Sequence, residues 1–507
     1  MQCVWRFAAV SRRLRLPKPA RSTILASKPW ESAGCRVTGM IYERARVLMV
    51  NHCVELAIIL SMTTLFLLPA LDNGFPFVFA DTGGYLIGIA HPVFRSTYYT
   101  IFNRIFDLRW SPWPGIVIQS LACSWTIWCF SSSLFNINDP FRLLVLALFL
   151  VFGTSLPWFV GWVMADIFTP LMIIALALLC FADDKLSRLS EIMLVSLLAA
   201  ALAFHQANLP VALWLLPGLG LCALLGWRPS GPFLRGLLAS SVGLTLGIAA
   251  LLVMNLLFGR IGLSNSGSLF LLARMLEDGT AISYLEQACP RQHFVICAEL
   301  NELKSYNTLN PSPKGCLSCY FLWNGPLERL GGFPAEEAEA SAIVRGTLFT
   351  NGPAQLRAAI DNGWRQFVLF STGAELNSYS DGEYVSTAIW DRFGSAVYRN
   401  YRYSKQIRGV LDFFLINRVH TTVIIACSFL LIVFLISTGI KARPRSFYAT
   451  IVMIALVTGN AFTLGALSGP SDRYQGRVIW LIPLLAACFV LERLPYPQLR
   501  NRGALSA

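Results

Sequence analysis

A carboxylate, Asp81, stands in the run Phe79-Ala80-Asp81-Thr82-Gly83-Gly84-Tyr85, just past the first long apolar stretch. That places an ionisable group on a loop where the chain leaves a bilayer. Asp166 follows Val163-Met164-Ala165, His205-Gln206 closes a later apolar run, and Asp472-Arg473-Tyr474-Gln475-Gly476-Arg477 precedes the last one. A carboxylate beside an attacking hydroxyl can serve as general base. A guanidinium holds phosphate through a fork of N–H donors, and the i, i+4 spacing of Arg473 and Arg477 puts both on one helix face. Each residue also has a plainer role. Asp81 and Asp166 stand where Asp caps helices, His205 is placed to snorkel from a helix end, and the two arginines could anchor to headgroups. They are nevertheless basic residues on the face where the positive-inside rule disfavours them, which favours phosphate.

These residues must be positioned by membrane helices. The chain has 507 residues, 55% hydrophobic and 14% charged, against about 25% charged in soluble proteins. Apolar runs of about 20 residues recur, the length of a helical crossing, and no alternating pattern of a β-barrel is evident. The expectation is an all-α polytopic membrane protein of about ten spans, with a mixed soluble extracytoplasmic domain between spans 7 and 8. Residues 1–46 read as a basic cytoplasmic tail, with Met40 as a candidate start. Residues 47–259 form a transmembrane module whose first outer loop is 72–112. Residues 260–418 form the extracytoplasmic domain, and 419–507 a C-terminal transmembrane module with a basic tail. Aromatics in the first loop (Phe94, Tyr98, Tyr99, Phe102, Phe106) suggest a helix lying along the interface.

The net charge of +13 is not a nucleic-acid signature. Between Arg260 and Arg418 there are fifteen basic and fifteen acidic residues, so the excess lies in the tails and short loops. That pattern makes both termini cytoplasmic and gathers Asp81, Asp166, His205, the large insert and Arg473 on the opposite face. The insert carries Cys289, Cys297, Cys316 and Cys319. In an oxidising compartment these would form disulfides, with three connectivities open; a zinc site is the alternative. No P-loop, no GxGxxG dinucleotide motif, no nucleophile elbow and no HExxH is present, which leaves a lipid-linked donor as the activated substrate.

Three features resemble the GT-C superfamily of polytopic glycosyltransferases, among them the protein O-mannosyltransferases and lipid A aminoarabinose transferases. They are the acidic residue followed by a tyrosine in the first outer loop (Asp81, Tyr85), the acidic residue of the second outer loop (Asp166), and the Arg473-Tyr474 pair before a late span. The resemblance spans the first six crossings and the last loop, and leaves 260–418 unassigned. It implies sugar transfer from a polyprenyl phosphate to a glycan, lipid or protein acceptor on the periplasmic face of a bacterial inner membrane. It also implies that Asp81 and Asp166 are the catalytic carboxylates, Asp81 being the base. Tyr85, Arg95, His205, Arg473 and Arg477 would bind substrate, the arginines holding phosphate and Tyr85 with the aromatics near Tyr98 lining a groove for the polyprenyl chain. The first loop lacks the paired acids of some branches, so no metal or other cofactor is expected. The alternatives are a lipid-linked oligosaccharide flippase, a non-catalytic membrane scaffold displaying 260–418, and an O-antigen-type polymerase or ligase.

Overall fold

The computed structural model describes residues 52–88, 96–258, 263–264, 266–310, 315–439 and 443–495. The expected basic tail over 1–46, the residues beyond 495, and Arg95 with its neighbour His91 lie outside the described residues. The described residues from Leu56 onward belong to one compact unit, which carries the elements that build the site.

Among the described residues five helices are long and apolar enough to cross a membrane: Ala165–Ala182, Gly231–Leu257, Phe414–Thr438, Arg445–Leu467 and Asp472–Arg493. Shorter apolar helices cover His52–Phe66, Pro140–Gly153 and Asn208–Leu224. The elements needed below are α1 (Thr82–Ile87), α2 (Thr97–Asp107), α3 (Trp113–Phe135), α4 (Phe168–Ala182), α5 (Arg188–Phe204), α6 (Gly231–Leu257), α7 (Gly267–Glu277), α8 (Phe333–Val368), α9 (Tyr384–Arg402), α10 (Phe414–Gly439), α11 (Arg445–Leu467), α12 (Asp472–Ile479) and α13 (Leu481–Arg493).

Hydrophobic pattern decides where each helix sits. All fifteen residues of α4 are buried, as expected of a helix with no polar face, and it packs against α3, α5, α6 and α11. By contrast, α6 and α10 are only 22% buried over their most apolar windows and expose leucines such as Leu238 and Leu246. In a bilayer those faces meet acyl chains.

The first outer segment is fixed by backbone pairing. Phe77 forms an isolated parallel bridge with Trp162: its N–H donates to Gly161 O at 2.9 Å, and its carbonyl accepts from Val163 N at 2.9 Å. On the far side Gln406 acts as a surrogate strand, its Oε1 accepting from Val78 N at 3.0 Å and its Nε2 donating to Val78 O at 2.7 Å. Gly161 is required here, because a Cβ would lie 2.8 Å from the Ala70 methyl. The result brings Asp81 and Asp166, 85 positions apart in sequence, to the same end of the bundle.

The first loop does contain a helix, α2; Ile105 on it and Leu108 and Trp110 in the turn just after it are exposed. The groove expected along its aromatics is corrected. Tyr99, Phe102, Phe168 and Phe204 pack ring to ring at centroid distances of 4.8–6.2 Å, and Tyr85 joins them edge-on to Tyr99 at 4.8 Å. Such a cluster fills its own volume and leaves no space for an isoprenoid. The C-terminal end of α2 is held by an ion pair that is largely removed from solvent, Arg392 of α9 donating to Asp107 at 2.5 Å.

The expectation of a mixed fold over 260–418 is also corrected: the described part of that segment is helical and contains no strand. Its apolar residues recur at helical spacing, as in Leu269, Leu272, Ala273 and Leu276 of α7. The segment contributes to two cores. Residues from Leu269 to Val344 form a small cluster of their own, whereas Tyr379, Val385, Ile389, Phe393, Tyr401 and Ile407 belong to the large cluster of the bundle. The helices expected from Pro334 and from Pro353 form one element, α8, kinked at Asn351 where φ/ψ is non-helical. Of the three connectivities, the structure has Cys289–Cys297 and Cys316–Cys319, and these bonds consume the thiols that a zinc site would need.

Candidate functional site

The residues singled out in the sequence meet around one side chain. Arg473 Nη1 donates to Asp81 Oδ2 at 3.1 Å across 392 positions of sequence. Its Nε lies 3.8 Å from Asp166 Oδ1 and 3.7 Å from Glu375 Oε2. The guanidinium is flanked by two rings, with its carbon 4.4 Å from the Phe79 centroid and 4.9 Å from that of Tyr474. Arg477, one turn further along, donates from Nη1 to Asp166 Oδ1 at 3.3 Å and from Nη2 to Asn460 Oδ1 at 3.0 Å. His205 Nε2 lies 3.5 Å from Arg477 Nη1. The i, i+4 spacing therefore does put both arginines on one face, and Asp166 is what they share.

Asp81 occupies the N-cap position of α1, yet its side chain makes no capping bond. It is nearly buried, with 13% of the side chain exposed, rather than solvated on a loop. Asp166 does not cap a span either. It sits in a short 3-10 turn, Ala165–Ile167, with no accessible surface. At that depth an ionised carboxylate requires a counter-charge, and the arginines provide it.

The start of α12 is held from several sides. Ser471 and Gln366 of α8 exchange two hydrogen bonds, each 2.8 Å. Ser471 Oγ donates to Glu375, and Asp472 accepts from Ser371 N at 2.6 Å. Ser155 Oγ donates to Gly476 O at 2.7 Å, and Asn460 Nδ2 to Tyr474 O at 2.7 Å. Arg473 is thus presented from a rigid helix start.

Asp81, Arg473 and Glu375 line a cavity of 1130 Å³, somewhat above the ~300–1000 Å³ of typical small-molecule sites. Its other walls come from Arg274 and Glu277 of α7, the Cys316–Trp323 segment, Arg365 of α8, and Tyr379 and Tyr384. Arg274 is committed to Asp278 at 2.6 Å and Glu277 at 3.4 Å. Tyr379 is nine-tenths buried, and its hydroxyl has no hydrogen-bond partner among the described residues. Asp166, His205 and Arg477 stand behind this wall and do not line it. Of the seven residues expected, Asp81 and Arg473 reach the cavity, three others support them from behind, and Tyr85 is core. The seventh, Arg95, lies outside the described residues. Arg477 and Asp166, expected to meet phosphate and a reacting atom, have no accessible surface in this arrangement and do not line the cavity.

Sequence reasoning missed Glu375 and Tyr379. They lie in a loop with no motif, and only the packing of that loop against α12 makes them part of the site. Burial pushes the Glu375 carboxyl above its ordinary value of 4.5, while the Arg473 guanidinium pulls it back. A carboxyl whose folded value is raised binds more protons in the folded than in the unfolded chain. Its stabilising contribution is therefore full below about 4.5 and is lost as pH rises through the folded value. Glu375→Gln protein is expected to gain thermal stability relative to the parent at neutral pH and little or none near pH ~4. Thermal midpoints across that range check this, and parallel curves would contradict it.

Among the described residues no group of three or more His, Cys, Asp or Glu is placed to hold a metal ion. Comparison with known protein-family models, curated proteins and solved structures gives no match to this chain.

Proposed function

We propose that the chain is an integral-membrane glycosyltransferase of the GT-C kind, moving a sugar from a polyprenyl-phosphate donor to a glycan, lipid or protein acceptor. The observation that carries this reading is the 3.1 Å contact between Asp81 and Arg473 on the wall of a large cavity. A carboxylate and a phosphate-binding cation held side by side at the end of a membrane bundle are the two groups this reaction needs.

In the empty site Arg473 is shared among three carboxylates. A donor phosphate entering the cavity competes for the guanidinium, which turns its fork toward the phosphate oxygens. Asp81 then loses its counter-charge and becomes a stronger base. It takes the proton of the acceptor hydroxyl as that oxygen attacks the anomeric carbon. The bond from the anomeric carbon to the phosphate oxygen breaks, its electron pair stays on the phosphate, and Arg473 stabilises the growing charge. Asp166, itself fixed by Arg477, holds Arg473 in place from behind. Glu375 and the Tyr379 hydroxyl are placed to bind sugar or acceptor hydroxyls.

The same proposal includes about ten crossings. The five long apolar helices would be joined by shorter or more polar ones such as Pro140–Gly153, α3 and α5. The insert between the seventh and eighth crossings then lies outside the cytoplasm, with both termini on the cytoplasmic side of a bacterial inner membrane. The test is purified protein in lipid nanodiscs with radiolabelled polyprenyl-phosphate sugars and a mixture of lipid and glycan acceptors. Release of polyprenyl phosphate with matched labelling of an acceptor is the expected result. In proteoliposomes, donor crossing the bilayer with its sugar still attached would replace transfer by translocation as the function.

A further inference from the structure

The second half of α8, after the kink at Asn351, has three distinct faces. Gln355, Asn362, Gly363 and Gln366 are buried. This face packs at the Leu467 end of α11, where a Cβ on Gly363 would lie 2.4 Å from the Phe462 ring and one on Gly465 would lie 2.6 Å from Asn362 O. Glycine at both positions is what lets the backbones approach so closely. Arg357, Asp361 and Arg365 form a charged stripe, and Arg365 lines the cavity. Between them runs an apolar stripe of Leu356, Ile360, Trp364 and Val368, all more than half exposed. Phe349, just before the kink, is 90% exposed.

A stripe of this kind in water would be an unfavourable surface. It is continuous with α11, a helix apolar and long enough to span, and it sits level with the last turns of that helix. Trp at such a level is characteristic of a membrane boundary. An amphipathic helix with one apolar and one basic edge lies in the plane between headgroups and acyl chains. Nothing about α8 reads as a crossing from the sequence, because Arg357, Asp361 and Arg365 interrupt the apolar run.

We infer that residues Pro353–Val368 are seated in the bilayer leaflet on the cavity side, with Leu356, Ile360 and Trp364 among the acyl chains. The helix is then a partition, lipid on one side and the cavity on the other through Arg365 and Leu369. Amphiphilic substrates would reach the cavity past its end rather than through water alone. This inference is independent of the transfer chemistry and stands or falls without it.

The experiment is depth-resolved quenching. Trp364→Cys is labelled with a small fluorophore in nanodiscs of phosphatidylethanolamine and phosphatidylglycerol, in a background where Ser replaces Cys53, the exposed free thiol among the described residues, and also Cys3 and Cys35, which lie outside them. Leu246→Cys, on the exposed face of α6, is the lipid reference, and Lys304→Cys the aqueous one. A spin label on the acyl chain near the headgroup is expected to quench position 364 at least as strongly as 246, which lies mid-helix in α6, and several-fold more than 304, whereas iodide quenches 304 most. Iodide quenching at 364 equal to that at 304 would put the helix in water and overturn the inference. Protection from both quenchers would mean that protein, a second copy or another chain, covers the stripe, and would also overturn it. Ile360→Cys repeats the measurement on the same face should the Trp364 variant fold poorly.

Discussion

Asp81→Asn protein is expected to fold, to bind donor, and to transfer sugar about a hundredfold or more slowly, the loss that follows removal of a general base. Asn keeps the volume and can still accept a hydrogen bond from Arg473, whose positive charge remains balanced by Asp166 and Glu375 at 3.8 and 3.7 Å. What it cannot do is take a proton. Single-turnover release of polyprenyl phosphate measures the chemical step, and equilibrium donor binding measured alongside separates base from binding. Because Arg473 no longer has to leave Asp81, donor affinity should be unchanged or slightly higher. Transfer at the parental rate would remove Asp81 from the mechanism. Asp81→Glu, which moves the carboxylate by one methylene, should recover part of the rate only if proton removal is its task.

Asp166→Ala is expected to give the largest loss of stability of any single change in the site, about 3–5 kcal/mol, the cost of leaving a buried charge without its partner. Asp166 is fully buried, as is Arg477, and they pair at 3.3 Å. Removing the carboxylate strands that guanidinium and deprives Arg473 of one of its three acidic neighbours. Thermal unfolding, or the fraction of monodisperse protein after a heat step, reads the effect. The double variant Asp166→Ala with Arg477→Met should recover much of the loss, because replacing both members of a buried pair by apolar groups is often nearly neutral. Coupling between the two changes is the signature of direct contact. Additive losses would mean that the pair does not share its charge as described. Activity is expected to stay low in the stabilised double variant, since Arg473 has lost the carboxylate that fixes its orientation.

The parts of the site legible in the sequence were those where charge is costly. In a chain with 14% charged residues, each of Asp81, Asp166, Arg473 and Arg477 at the edge of an apolar run is conspicuous, and helical periodicity put the two arginines on one face. The same logic could not grade them. Boundary position is shared by a cavity-lining residue such as Asp81 and by a fully enclosed one such as Asp166. Tyr85 is a groove residue only by the family resemblance; its ring instead packs edge-on against Tyr99, in an aromatic cluster that Phe102, Phe168 and Phe204 complete from three helices, α2, α4 and α5. Glu375 and Tyr379 carried no signal at all, since a loop of ordinary composition becomes part of a site only by where it packs.

Composition and hydropathy alone determined that this is a helical chain with several membrane-length apolar segments, because burying a backbone in lipid leaves helices as the economical solution once no barrel pattern is present. Only the tertiary structure decided which carboxylate faces a cavity, which arginine is locked behind it, and that α8 lies against a helix long and apolar enough to span with its apolar stripe outward. The physical reason is the same in each case. Local sequence fixes what one helix buries, but a salt bridge across 392 residues and an unpartnered helical stripe are set by which surfaces remain after the helices have packed.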